Sequence, residues 1–441
     1  MTTSLLSRRR LLALAAGSLA APLVARAADD RLDCIVVGAG AAGLAAARAL
    51  ASLGRRFVVV EASGRVGGRA FTDTVAGQPF DAGAAYVHFA DRNPWFGIAS
   101  QFGFRLSDDR GTGFQLYDNG VRVPDTARRN ARSGFGRLIQ ALDSLTPETP
   151  DVSMADFAGS LGGDLIEPAR RIARMSLGEE PGQVSVRDYA RLWSGDDYLV
   201  PDGLGRLVER FGQEIPVQRD TVVRRIDWSD GVTVETSRGT LRARAAIVTV
   251  SVGVLAAGGI VFSPSLPATT QDAIGGLRMG ALTKVAFALD GNRRDWPEAG
   301  DLIDTRRGGI DFELWPFDRP LVVATLGGDE ARQLVGMGEA AALAETKDLL
   351  VSLVGPKARG AIGAGRMAGW SADPWTLGSY SVCLPGQAGA RERLAEPVGD
   401  RLFFAGEATG GAGEAVGAAM TVGGASLAGV AAVEKLQALL R

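Results

Sequence analysis

Gly38-Ala39-Gly40-Ala41-Ala42-Gly43 stands directly behind the apolar β run Leu32 to Val37. An alanine-rich helical stretch follows from Leu44 to about Leu53, and a second strand, Phe57 to Val60, ends at Glu61. In such a strand–turn–helix–strand unit Gly38 allows the tight turn, Gly40 lets backbone approach a pyrophosphate, and Gly43 lets helix and strand pack closely. The helix N-terminus offers free N–H groups and the positive end of its dipole to phosphate. Glu61 lies 23 positions after Gly38, where a carboxylate can accept hydrogen bonds from a ribose. Strand, glycines, helix, strand and acid in register point to a bound dinucleotide. A second glycine pair flanked by arginines, Arg65-Val66-Gly67-Gly68-Arg69, comes next. A nicotinamide enzyme has no need of that pair.

Other reactive residues are scarce. His88 is the single histidine of the chain, which excludes a histidine-rich metal site and argues against a Ser-His-Asp triad; no metal is expected. Four lysines stand against 44 arginines, and Lys284 alone among the lysines lies in an apolar strand, Met279 to Phe287. A buried lysine is costly unless its ammonium finds partners; an edge-strand lysine reaching solvent is the alternative. Two cysteines, Cys34 and Cys383, give no disulfide framework. The net charge is −2 with acids and bases spread along the chain, so nothing suggests a nucleic-acid partner.

The double glycine signature resembles the flavin amine oxidase family, which includes monoamine and polyamine oxidases, and the resemblance runs over nearly all of residues 30–440. It implies noncovalent FAD, with Ser379 at the point where covalent members carry a cysteine and Cys383 four residues further on. It also implies cofactor contacts from Gly38, Gly40, Ala42, Gly43, Glu61 and Ala62, and from Arg65, Gly67, Gly68 and Arg69, which close over the diphosphate and flavin side. Phe80 to His88 is similar to the segment beneath the isoalloxazine ring, assigning Gly83, Ala84, Ala85 and Tyr86. Val223, Trp370, Gly406, Glu407 and Val416 complete the expected set.

The same resemblance assigns the chemistry. Lys284 matches a lysine that holds a water beside the flavin. Tyr380, in the loop Trp370 to Tyr380, stands as one wall of an aromatic cage, and His88 matches a histidine facing the substrate amine in some polyamine oxidases. The second cage wall falls near Ala415, which is not aromatic. The implied reaction is oxidation of an amine to an imine, then hydrolysis, with O2 reduced to H2O2. A flavin desaturase of an apolar substrate and an FAD-binding protein without turnover are the alternatives. The sequence does not name the amine.

The expected fold is α/β: a Rossmann-like FAD-binding domain interleaved with an α+β substrate-binding domain. The former takes residues 30–90, 220–275 and 366–441. The latter takes 91–219, a helical insertion, and 276–365, a sheet with the helix Glu339 to Val354. A glycine- and alanine-rich helix is expected from about Glu414 to Leu440. Residues 1–27 read as a twin-arginine signal, with Arg8-Arg9-Arg10 ahead of a mild apolar stretch and Ala25-Arg26-Ala27 as cleavage site. That stretch is too short and alanine-rich for a stable membrane span. The expected location is periplasmic or secreted, and the expected partners are a small-molecule amine and O2, with a homodimer left open.

Overall fold

An almost unbroken apolar run suits a strand covered on both faces, as parallel sheets require. In the computed structural model, which describes residues 32–108, 113–146, 148–298, 300–410 and 413–439, that run is β1 (Leu32–Val37). It is followed by α1 (Ala41–Ser52) and β2 (Phe57–Val60). β1 pairs in parallel with β2 on one side and with β3 (Gly239–Val248) on the other. α1 is alanine-rich and buried along Ala41 to Ala47, as expected of a helix without a polar face. Its small residues admit close packing of the C-terminal helix α2 (Val422–Leu439): a Cβ at Gly429 would lie 2.1 Å from the Ala42 carbonyl oxygen.

β3 serves two arrangements at once. Its C-terminal half lies parallel to β1 and to Leu402–Phe404, while its N-terminal half closes an antiparallel meander with Val232–Thr236 and Val223–Asp227. Segments from 32–60, 217–263 and 402–404 thereby form one eight-stranded sheet.

The second sheet has seven strands, in the order Ile362–Ala368, β4 (Leu282–Leu289), β6 (Leu321–Gly327), β5 (Ile310–Leu314), Asp301–Asp304, Phe114–Asp118 and Val121–Arg122. Directly paired residues share a face. Lys284 opposes Thr325, and Thr325 opposes Asp311, so these three form one row across the sheet. Val285, Ala324 and Phe312, each the next residue along, point the other way into a core completed by Ala331, Leu334 and Leu350 of two covering helices. The period of two thus separates a packed face from a face that carries polar groups.

The architecture is α/β, a Rossmann-like sheet interleaved in sequence with an α+β unit. Three details depart from the sequence reading. Val217–Gln218, inside the stretch taken as helical insertion, is a strand on β2. Phe114–Asp118 and Val121–Arg122 from the same stretch join the second sheet. The helix expected from Glu414 is divided: Gly413–Ala418 is a 3-10 turn, and α2 starts at Val422, after Met420 adopts a φ of 67°. Among the described residues no helix is long and apolar enough to cross a membrane. The twin-arginine stretch and its cleavage site lie outside the described residues.

Candidate active site

The two glycine motifs meet in space. Gly67 N–H donates to the Ala39 carbonyl at 2.8 Å, and Gly40 and Gly67 form a parallel bridge. A Cβ at Gly43 would lie 1.9 Å from the Gly38 oxygen, so the start of α1 can rest on the turn only with glycine there. The Glu61 carboxylate accepts from Ala39 N–H at 2.7 Å, and from the Ser63 N–H at 2.9 Å and hydroxyl at 2.8 Å. It therefore holds the first glycine loop against the end of β2 as well as facing the cavity. The arginines are engaged too. Arg65 stacks over Phe71 at 4.3 Å and Trp370 at 5.7 Å and donates to the Gly68 carbonyl at 2.7 Å. Arg69 donates to Glu407 at 2.8 Å and to the Ser379 carbonyl at 3.0 Å. Each guanidinium is a clamp on the cavity wall.

From this cradle one cavity of about 1530 Å³ runs to the face of the second sheet. It brings together Gly38, Gly40, Ala42, Glu61, Ala62, Arg65, Gly67, Gly68, Arg69 and Val223 at one end. Gly83, Ala84, Ala85, Tyr86, His88, Lys284, Trp370, Tyr380, Gly406 and Glu407 line its continuation. Gly43 and Val416 lie off the wall. Gly43 acts by packing. Val416 is displaced because a 3-10 turn advances more degrees per residue than an α-helix; Gly417 and Ala419 reach the wall instead, and neither Val416 nor Ala415 does.

Lys284 comes from an interior strand, paired on both sides, which sets aside the edge-strand alternative. Its Nζ donates to the carbonyls of Asp81 at 2.8 Å and Gly83 at 3.0 Å. Burial lowers its pKa, opposed by the charges of Asp81 and Glu313. Gly83 has no room for a side chain: a Cβ would lie 1.9 Å from the Arg69 oxygen and 3.1 Å from the Trp370 ring. Trp370 Nε1 donates to Ala82 O at 2.8 Å, which fixes this floor. Tyr380 lines the cavity, its phenol pushed up by burial and by Glu407.

His88 and Asp197 face each other at 2.9 Å through Nδ1 and Oδ2, and His88 stacks on Tyr86 with centroids 5.2 Å apart. Asp197 also accepts from Phe89 N–H at 3.1 Å. Burial alone would raise the Asp197 carboxyl, but the His88 hydrogen bond and charge and the Phe89 N–H hold it below the usual carboxylate range. Sequence reasoning missed Asp197, 109 positions from His88, because no local pattern links them. It missed a buried network behind Glu407 for the same reason. Ser381 donates its hydroxyl to Glu407 at 2.7 Å, and Arg391 donates to Ser381 at 2.7 Å and to Asp188 at 2.9 Å. Burial would raise Glu407, but Arg69 and Arg391 hold it below its ordinary value.

The residues fit a dinucleotide bearing a planar ring. The glycine cradle excludes side chains where backbone must meet phosphate, and the Ser379 hydroxyl on the same wall is buried with no hydrogen-bond partner among the described residues. No thiol is at hand. Cys383 is buried off the cavity, donates to the Gln387 carbonyl at 3.0 Å, and is pushed up to about 12, by burial first and then by Asp188. Among the described residues no group of three His, Cys, Asp or Glu side chains could hold a metal ion.

Comparison with known proteins agrees with this geometry. The profile of the family described as "Flavin containing amine oxidoreductase" matches residues 41–183 and 186–435. "Lysine-specific histone demethylase 1 homolog 1" of Oryza sativa subsp. japonica is 30% identical over 423 residues, covering 85% of this chain and 49% of that protein. "Probable polyamine oxidase 4" of Arabidopsis thaliana is 29% identical over 444 residues, covering 91% of this chain and 86% of that one. The chain spans about half the length of the demethylase homologues it matches. Cyclohexylamine oxidase from Brevibacterium oxydans IH-35A superposes with a TM-score of 0.78 at 22% identity, over 93% of this chain and 100% of the other. A putrescine oxidase bound to putrescine superposes with a TM-score of 0.78 at 20% identity, over 93% and 99%. At those identities the likeness to the solved structures is one of fold. On the profile match over most of its length, the chain belongs to the flavin-containing amine oxidoreductase family, whose cofactor is FAD.

Proposed function

We propose that the chain is an oxidase that converts a small-molecule amine to an imine. Water hydrolyses the imine to a carbonyl compound and ammonia or a smaller amine, and O2 becomes H2O2. The observation that carries this reading is the continuity of one cavity from the glycine cradle to Lys284, Tyr380 and His88. Asp301, Asp311 and Glu313 line the same cavity from the second sheet. Asp311 is paired with Arg171 at 2.8 Å, and carboxylates on the wall still suit an ammonium better than an apolar group. That favours a cationic substrate over the apolar substrate of a desaturase.

Within the cavity Tyr380 offers a π face to the amine, and its apolar surroundings favour the uncharged form once the substrate is enclosed. With Nδ1 directed at Asp197, His88 keeps Nε2 for the proton of the arriving ammonium. Lys284, fixed by two carbonyls, orients a water and supplies positive charge on the oxygen side of the reaction. FAD held by the glycine cradle, Glu61, Arg65 and Arg69 would supply the two-electron acceptor between the amine and O2. Two electrons and two protons leave the amine and appear in H2O2, while water supplies the carbonyl oxygen.

The test is a panel of amines, with peroxide release and anaerobic loss of flavin absorbance both followed. Amines that do neither would overturn the reading. The twin-arginine pattern supports a periplasmic or secreted location. Replacement of Arg8 and Arg9 by lysine is expected to retain folded holoprotein in the cytoplasm, and unchanged export would contradict this.

A further inference from the structure

Trp193 enters the cavity from the helical insertion and is built into its wall with unusual care. Its backbone N–H donates to the Gly417 carbonyl at 2.7 Å. A Cβ at Gly417 would lie 2.4 Å from Trp193 Cδ1 and 2.5 Å from Nε1, so the indole occupies the place of that side chain. Phe89 meets the ring edge-on, with centroids 5.3 Å apart at 90°, and the Arg92 guanidinium lies over it at 4.8 Å. Phe89 is also the neighbour of His88 and donates its N–H to Asp197. Ring, histidine and carboxylate thus form one rigid group on the wall. The half-buried indole is held by a guanidinium and an aromatic edge, and it lines the cavity.

We infer that Trp193 is the aromatic face against which the amine end of the substrate rests beside His88, and that position 417 is glycine to admit that ring. Indole is the strongest π partner for the arriving ammonium, which rests on it before its proton passes to His88. Of the turn Gly413–Ala418, Gly417 lines the cavity and carries no side chain, so the aromatic surface beside it comes from Trp193 in a different part of the chain. The arrangement makes substrate affinity depend on a contact between the helical insertion and the C-terminal segment, far apart in sequence.

The inference rests on the amine-oxidation reading. Wild-type holoenzyme whose flavin no amine reduces would sink that reading, whereas normal reduction with no effect of the variants sinks only the role of Trp193. The experiment is anaerobic rapid mixing of holoenzyme with benzylamine, cyclohexylamine and putrescine, giving Kd and reduction rate for each amine that reacts. Trp193→Leu is expected to weaken amine binding about tenfold, and Trp193→Phe by less than about threefold. FAD content and the rate of reoxidation by O2 stay at wild-type values. Gly417→Ala moves the indole without altering it and is expected to reproduce the loss. Wild-type affinity in both Trp193→Leu and Gly417→Ala overturns the inference. If Trp193→Leu does not retain FAD, Gly417→Ala decides alone, with weakened binding supporting the inference and wild-type affinity ending it.

Discussion

Lys284 Nζ donates to the Gly83 carbonyl at 3.0 Å, tying an interior strand of the second sheet to a backbone segment of the cavity wall. With its bond to the Asp81 carbonyl at 2.8 Å, this contact joins the second sheet to the stretch 81–83 and sets the position of the lysine charge.

Lys284→Met is therefore expected to slow reoxidation of the flavin by O2 by tenfold or more, while its reduction by amine changes by less than about threefold. Reducing O2 places negative charge near the ammonium, whereas oxidation of a neutral amine gains little from it. Stopped-flow absorbance follows the two half-reactions separately. Equal slowing of both would reduce Lys284 to a structural strand residue.

Asp197→Asn is expected to lower kcat/KM for amine by about tenfold at neutral pH, because an amide no longer selects the ring orientation that leaves Nε2 to the substrate. FAD content remains unchanged. The stability effect has a definite sign. The folded carboxyl lies below its ordinary value, so its contribution is complete above the unfolded carboxylate range and fades as pH falls through the depressed folded value. Solvent screening keeps it below about 1 kcal/mol. Urea melts of the two proteins converge in acid; a gap that widens there would contradict the assignment.

How much of this was legible beforehand depended on distance along the chain. The cradle was readable because Gly38, Gly43 and Glu61 act within one βαβ unit, where spacing alone dictates geometry. Lys284 stood out because a lone lysine in an apolar strand needs partners, although the chain could not reveal that those partners are carbonyls some 200 positions away. Asp197, Trp193 and Arg391 were invisible for the same physical reason: each acts through a tertiary contact between distant segments. Val416 was misplaced by a turn type. Glycine- and alanine-rich text does not distinguish a 3-10 turn from an α-helix.

Arg391→Met is expected to destabilise the protein by roughly 3–5 kcal/mol, since it leaves Asp188 as an unpaired carboxylate in the interior. Both partners are buried, at 1% and 8% side-chain exposure. Loss of Arg391 also removes charge that holds Glu407 down, so the variant unfolds at a higher pH than wild type on acid titration. The double variant Arg391→Met with Asp188→Leu recovers much of the loss in denaturant melts. No recovery would point to packing rather than charge.

Glu61→Ala is expected to give protein poor in FAD, because the carboxylate fixes both Ala39 and Ser63 at the cradle. Wild-type protein precipitated with acid releases its flavin to the supernatant, since the residue at the linking position is Ser379 and no thiol lines the cavity. Flavin retained in the pellet, or full FAD stoichiometry in the variant, would each contradict the cofactor geometry.

The central claim is tested most directly by mixing purified holoenzyme anaerobically with an amine panel, then admitting O2. The account predicts that at least one amine bleaches the flavin, and that O2 restores its absorbance with one H2O2 formed per carbonyl product. Flavin that no amine bleaches, or bleaching followed by no peroxide on addition of O2, would contradict it.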